Sequence, residues 1–259
     1  MSAPQAGVVR EIAPGVLVVN VSTPEYDVRG ALLLGRTHAL VWDTLTHPRD
    51  MAPFTPLLGA RRLTIVYSHA DWDHVWGTAG LPLDGAEVVA HRHCLARFSS
   101  DVPETLAARR RDEPGLWDAV RLIPPGRTFD AELDLNLGDL TLCLRHLPGH
   151  TADCLVGFVP ERGVLLAGDT VETPFPVVPA GAPLRQWVRG LRQWAQDTRV
   201  RTVVPAHGRV GGLDLIASTV DYLEGLADGS PGTPSGPLSP FYEATHRANL
   251  EWRPPDSTR

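Results

Sequence analysis

Residues 68–77 read SHADWDHVWG. His69, Asp71, Asp73 and His74 put two imidazoles and two carboxylates within six positions. These are the usual non-thiolate ligands for zinc and other divalent metals. A lone HxH is weak evidence. His91 and His93 make one with no other ligand type around it in sequence, and a surface or helix-capping role is expected there. The first cluster differs because three further stretches share its form. PGHTAD carries His150, LLAGDTVE carries Asp169, and VVPAHG carries His207. Each ligand type follows a β-rich run and stands beside a glycine. Loops at strand ends let a rigid sheet aim side chains at one point. Glycine lets the backbone turn sharply or approach closely there.

The elements that must position these residues can be read from the apolar pattern. Residues 15–22, 29–35 and 38–44 predict successive strands separated by Pro and Gly signals. A short helix is expected over 50–58. Residues 63–68, LTIVYS, predict a buried strand that ends where the ligand cluster begins. Residues 86–91 predict the next strand, and 101–120 a charged, helix-like stretch outside the sheet. The second half repeats the β theme at 140–150, 153–160, 163–170 and 201–208. Trp187, Leu191 and Trp194 recur at helical spacing within a helix expected over 183–195, and another is expected over 213–227. A Pro/Gly/Ser loop covers 229–240, and an amphipathic stretch follows at 241–252. No sequence-identical repeat is present. Both halves run strands first and helices after, which predicts two sheet layers with helices outside.

At 259 residues the chain can bury a large core without disulfides. Its formal charge of −6 argues against a nucleic-acid partner. All 24 basic side chains are arginine, which excludes lysine chemistry such as Schiff bases. Cys94, Cys143 and Cys154 form no CxxC pair and are odd in number. They read as reduced, structural thiols of a cytoplasmic protein. The first fifteen residues lack the apolar core of a secretory signal, and no apolar run is long enough to span a bilayer. No membrane association is expected.

HADWDH, PGHT, AGDT and PAHG, in that order, resemble the signature of the metallo-β-lactamase superfamily, over residues of roughly 16 to 210. The resemblance implies an α+β fold, a four-layer αββα sandwich in a single domain, with a dinuclear metal site at one edge. The domain would run over 1–228, with 229–259 packing on it as a loop and C-terminal helix. Carried over by position, His69, Asp71 and His150 would hold one ion and Asp73, His74 and His207 the other, with Asp169 between them. Asp73 would also take part in proton transfer. Asp43, in VWDT, resembles an aspartate beside the site and equally fits a strand-end turn.

Asp71 departs from the family pattern, which carries histidine there. Aspartate also coordinates, but it makes the ligand set one charge more negative. Three expectations follow: a weaker Lewis acid at that ion, a preference for a harder metal such as iron or manganese, or a mononuclear site if Asp71 points away. The implied activity is hydrolysis of an ester, lactone, thioester or related bond by water activated at two divalent ions, with zinc first in expectation. The alternative is a di-iron oxidoreductase or oxygen-using enzyme of the same fold. The partner expected is a small-molecule substrate, in a pocket for which Trp72, Trp76, Phe175 and Tyr242 are candidate walls and Arg185 a candidate carboxylate contact. Each aromatic taken singly fits core packing better. The last segment would either cap the site or form a homodimer contact.

Overall fold

The computed structural model describes residues 7–232 and 236–254. Twelve strands form two sheets. The first contains β1 (Val9–Ala13), β2 (Val16–Ser22), β3 (Asp27–Leu34), β4 (His38–Trp42), β5 (Arg62–Val66), β6 (Glu87–His91) and β7 (Arg127–Phe129), in that spatial order. Its first four strands are antiparallel, and β4 through β7 run parallel. The second sheet is ordered β12 (Thr202–Pro205), β11 (Val164–Gly168), β10 (Leu155–Val159), β9 (Thr141–His146) and β8 (Glu132–Asn136). Only the β11–β12 pair in it is parallel.

Period-2 alternation explains why the strands stack as they do. On β3 and β4, Ala31, Leu33, Leu40 and Trp42 face the second sheet, where they meet Leu142, Leu144, Leu155 and Leu166. Leu32, Ala39 and Val41 face the other way. There they are covered by α1 (Trp72–Val75), α2 (Arg92–Arg97) and α3 (Asp101–Asp112), through Val75, Cys94, Val102 and Leu106. The outer face of the second sheet, including Val156, Phe158, Leu165 and Ala167, is covered by α4 (Leu184–Gln196) and α5 (Leu213–Ala227). The last helix, α6 (Pro240–Leu250), joins this side through Tyr242. The order of layers is helix, sheet, sheet, helix, as expected. Both faces of the central strands are buried, so they read as continuous apolar runs.

Several local expectations are corrected. Residues 50–58 do not form an α-helix but two 3-10 turns, Pro48–Met51 and Thr55–Leu57. Pro53 and Pro56 explain this, since each falls inside that stretch, lacks an N–H and obstructs the preceding turn. The charged helix stops at Asp112 rather than running to Val120, because Pro114 and Gly115 follow. Strands β1, β7 and β8 were not expected. Among the described residues, no helix is long and apolar enough to cross a membrane.

Gly149 precedes His150, and a Cβ there would come within 2.2 Å of the Trp187 ring. Trp187 is fully buried, and its indole N–H donates to the Thr170 carbonyl at 2.9 Å, so it has no room to yield. Gly149→Ala is therefore expected to cost about 1–3 kcal/mol through overpacking. Chemical denaturation checks this; an unchanged midpoint would show that the loop can move away from the ring.

Candidate metal centre

The C-terminal ends of β4, β5, β9, β11 and β12 meet at one edge of the sandwich, and each feeds a short loop carrying a polar side chain. These loops are tied together. The Leu155 N–H donates to the Ser68 carbonyl at 3.0 Å, and the Ala206 N–H donates to the Gly168 carbonyl at 3.0 Å. At Gly208, φ is +86° and a Cβ would stand 2.0 Å from Thr173 Oγ1, so only glycine closes the loop after His207.

All seven ligand candidates converge here. Asp71 Oδ2 lies 3.5 Å from His69 Nε2 and 3.1 Å from His150 Nε2. Asp169 Oδ2 completes that group at 3.6 Å from His69 Nε2 and 3.7 Å from His150 Nε2. The other oxygen, Asp169 Oδ1, lies 3.3 Å from His74 Nε2 and 3.4 Å from His207 Nε2. Asp73 joins the second group, Oδ1 at 3.7 Å from His74 and Oδ2 at 3.6 Å from His207. Ligand atoms about 2.0–2.2 Å from a tetrahedral ion stand roughly 3.3–3.6 Å from one another, so both groups match the spacing of a divalent-ion shell. Asp169 turns one oxygen to each.

Three buried atoms here, His69 Nε2, His74 Nε2 and Asp169 Oδ1, have no hydrogen-bond partner. Buried polar atoms are rarely left so, and orphans in both groups fit sites built to receive cations. The opposite nitrogen of every imidazole is occupied. His69 Nδ1 meets Ser68 Oγ at 3.0 Å, and His74 Nδ1 meets Asp43 Oδ2 at 3.0 Å. His150 Nδ1 meets the Val177 carbonyl at 3.0 Å, and His207 Nδ1 meets the Asp27 carbonyl at 2.8 Å. Such outer contacts fix each ring and leave Nε2 as the inward atom. Asp43 is thus both a strand-end residue, with φ of 57°, and the group that orients His74. Its carboxylate also accepts the Ser68 N–H at 2.7 Å and hydroxyl at 2.8 Å.

Sequence reasoning missed several residues around these groups. Arg29 donates to the carbonyls of Pro205 and Gly208, both at 2.7 Å, and so pins the His207 loop to the opposite sheet. Asp153 accepts the Ala70 N–H at 2.8 Å, inside the first cluster. Tyr26 packs edge-on against His207, with ring centroids 4.9 Å apart. Glu172 accepts the Tyr242 hydroxyl at 2.8 Å. Tyr26 and Glu172 join Trp72, Val177 and Phe241 as walls of a cavity of about 200 Å³ whose floor is Asp71, Asp73, His150, Asp169 and His207. Among the other expected walls, Trp76 and Phe175 are core residues, Tyr242 stands behind Glu172, and Arg185 is exposed on α4.

His91 caps α2, accepting the His93 N–H at 3.3 Å, and is buried rather than on the surface. Its surroundings are not empty, because the His146 ring stacks on it at 3.7 Å. Both its nitrogens are engaged, Nε2 with the Asp130 carbonyl at 2.7 Å, so hydrogen bonds account for it.

The sequence model of a family described as the metallo-beta-lactamase superfamily matches residues 30–218. The chain belongs to that superfamily. Superfamily members are mostly metal-dependent hydrolases. Solved structures agree on the fold. A metallo-beta-lactamase from Pontibacter korlensis superposes with a TM-score of 0.65 at 19% identity, covering 84% of this chain and 99% of the other. The metallo-beta-lactamase FIM-1 from Pseudomonas aeruginosa, in a mono-zinc form, gives 0.66 at 20% identity, covering 85% and 96%. The sec-alkylsulfatase Pisa1 from a Pseudomonas species gives 0.69 at 15% identity, covering 86% of this chain and 42% of that one. No curated protein sequence is significantly similar.

The superfamily fold surrounds a strongly polarised site. Burial opposes the charged forms, yet the Asp71 hydrogen bond and the Asp169 charge hold the His150 imidazolium up to about 9. Burial also opposes His207, but Asp169, Glu172 and Asp73 raise it to about 10. These raised values stabilise the metal-free fold fully below the ordinary histidine value near 6.5, and that contribution is lost as pH rises through about 9 to 10. A cation must displace the same protons, so its affinity rises over the same window. Metal-free protein is expected to melt progressively lower between about pH 6.5 and 10, with added zinc reversing the decline. Thermal melts at several pH values test this, and a flat metal-free profile counts against it.

Proposed function

We propose that the protein is a hydrolase that uses two divalent ions on a compact, uncharged ester, lactone or thioester. The observation that carries this reading is the pair of ligand groups sharing Asp169 on the floor of a cavity. His69, Asp71 and His150 would hold one ion, and Asp73, His74 and His207 the other, with zinc the first choice for an imidazole-rich set. Such ions supply Lewis acidity toward a carbonyl oxygen and lower the pKa of water.

The chain's own residues supply the rest. Asp73 reaches the cavity with both oxygens directed inward, in position to take a proton from the attacking water and return it to the leaving atom. Trp72, Val177 and Phe241 wall the cavity with apolar surface, which excludes bulk water and receives an acyl chain. At about 200 Å³ it is smaller than the roughly 300–1,000 Å³ typical of drug-sized ligands, which favours a small substrate. Among the described residues its lining includes the Glu172 carboxylate and no arginine, an arrangement unsuited to holding a substrate carboxylate.

Two measurements test the reading. Purified protein is expected to carry about two zinc ions per chain and to turn over neutral esters or lactones faster than anionic analogues of equal size. Iron as the main metal with no hydrolysis across such a panel would overturn it in favour of redox chemistry. Asp73→Asn is expected to lower kcat by about 10²–10⁴-fold. A kcat within threefold of the parent would remove Asp73 from the chemistry.

A further inference from the structure

Asp71 is where the chain departs from its family, and its surroundings differ from those of every other ligand candidate. The inward atoms of the histidines belong to rings braced from behind by uncharged or acidic acceptors. Asp71 is braced by a cation. Arg97 Nη2 donates to Asp71 Oδ1 at 2.6 Å, while Asp71 Oδ2 faces His69 and His150. The guanidinium is itself anchored on two further sides. Nη1 donates to Asp153 Oδ1 at 3.2 Å, and Nε and Nη2 donate to Asp101 Oδ2 at 3.0 and 2.7 Å. Asp153 is fully buried and holds the Ala70 N–H with its other oxygen, so the anchor is tied to the loop that carries Asp71.

We propose that Arg97 and Asp71 act as one unit that stands in for a histidine. The guanidinium claims one carboxylate oxygen and aims the other at the first ion site. It also offsets part of the added charge at Asp71, its cation being shared with Asp101 and Asp153. A planar fork held at three carboxylates fixes direction as well as charge, which a lysine does not. Arg97 is thus a positioning residue. It touches neither ion nor substrate and acts through Asp71.

This inference rests on the two-ion reading above, and a double-mutant cycle separates the two. Zinc is titrated into metal-free parent, Arg97→Gln, Arg97→Lys, Asp71→His and the Asp71→His/Arg97→Gln double variant, against a chromophoric chelator. Arg97→Gln is expected to weaken one of the two ions by about 10–100-fold and spare the other. Arg97→Lys should fall between Arg97→Gln and the parent, because it keeps the charge and gives up the fork. The double variant should recover both ions, since a histidine at 71 needs no cation behind it. That rescue distinguishes positioning from a general loss of stability, which would persist whatever occupies 71. Should Arg97→Gln not fold, Arg97→Lys and the double variant carry the same comparison. Unchanged or tighter zinc binding in Arg97→Gln and Arg97→Lys, or no rescue in the double variant, overturns the unit. A parent chain that binds no zinc fails the two-ion reading itself.

Discussion

Asp169 stands between two pairs of imidazole nitrogens and turns one oxygen toward each. One of those oxygens is buried with no hydrogen-bond partner, as are two of the nitrogens facing it. Leaving such groups unpaired is costly, so the rest of the structure must hold them there. Part of that support is the outward bond made by each imidazole, from Ser68, Asp43, Val177 or Asp27. Part is the Arg29 guanidinium, which reaches from β3 to the loop after β12 and joins the sheets at the site. The sandwich itself supplies the remainder. Its apolar middle layer sets where five strand ends finish, and those ends set where the ligands stand.

The convergence of the ligand candidates was legible because their density is local and their chemistry is specific. His69, Asp71, Asp73 and His74 fall within six positions, and His150, Asp169 and His207 each follow an apolar run. The layer order was legible because the strands are apolar on both faces and the helices are not. What stayed hidden has a common cause. Arg29, Tyr26, Arg97 and Glu172 are single residues whose partners at the site are distant in sequence, from 26 positions for Arg97 and Asp71 to 181 for Tyr26 and His207. No spacing rule relates them. Glu172 lay within LLAGDTVE, three residues after Asp169, but nothing in that stretch says the chain would bring its carboxylate back to the cavity.

The strands that went unread are short and polar. β8, ELDLN, alternates correctly but pairs only one buried leucine with one partly buried, and β7 has three residues. Edge strands of this kind carry little apolar signal because one side of them meets water. The 3-10 turns at 48–58 failed for the opposite reason. A short helix was expected there, and Pro53 and Pro56 overruled it.

The last helix bears on how this scaffold can diversify. Phe241 and the Tyr242 that holds Glu172 both lie on α6, beyond the stretch matched by the superfamily and after a Pro/Gly-rich connection. The helix is fastened by a few polar contacts, with Asn249 bonded to the Pro176 carbonyl and to the Val178 N–H and the Trp252 indole to Ala182. None of the five floor residues comes from it. The polar floor of the cavity and part of its wall are therefore built from separable lengths of chain, so substitutions in α6 can reshape the wall without touching a floor residue.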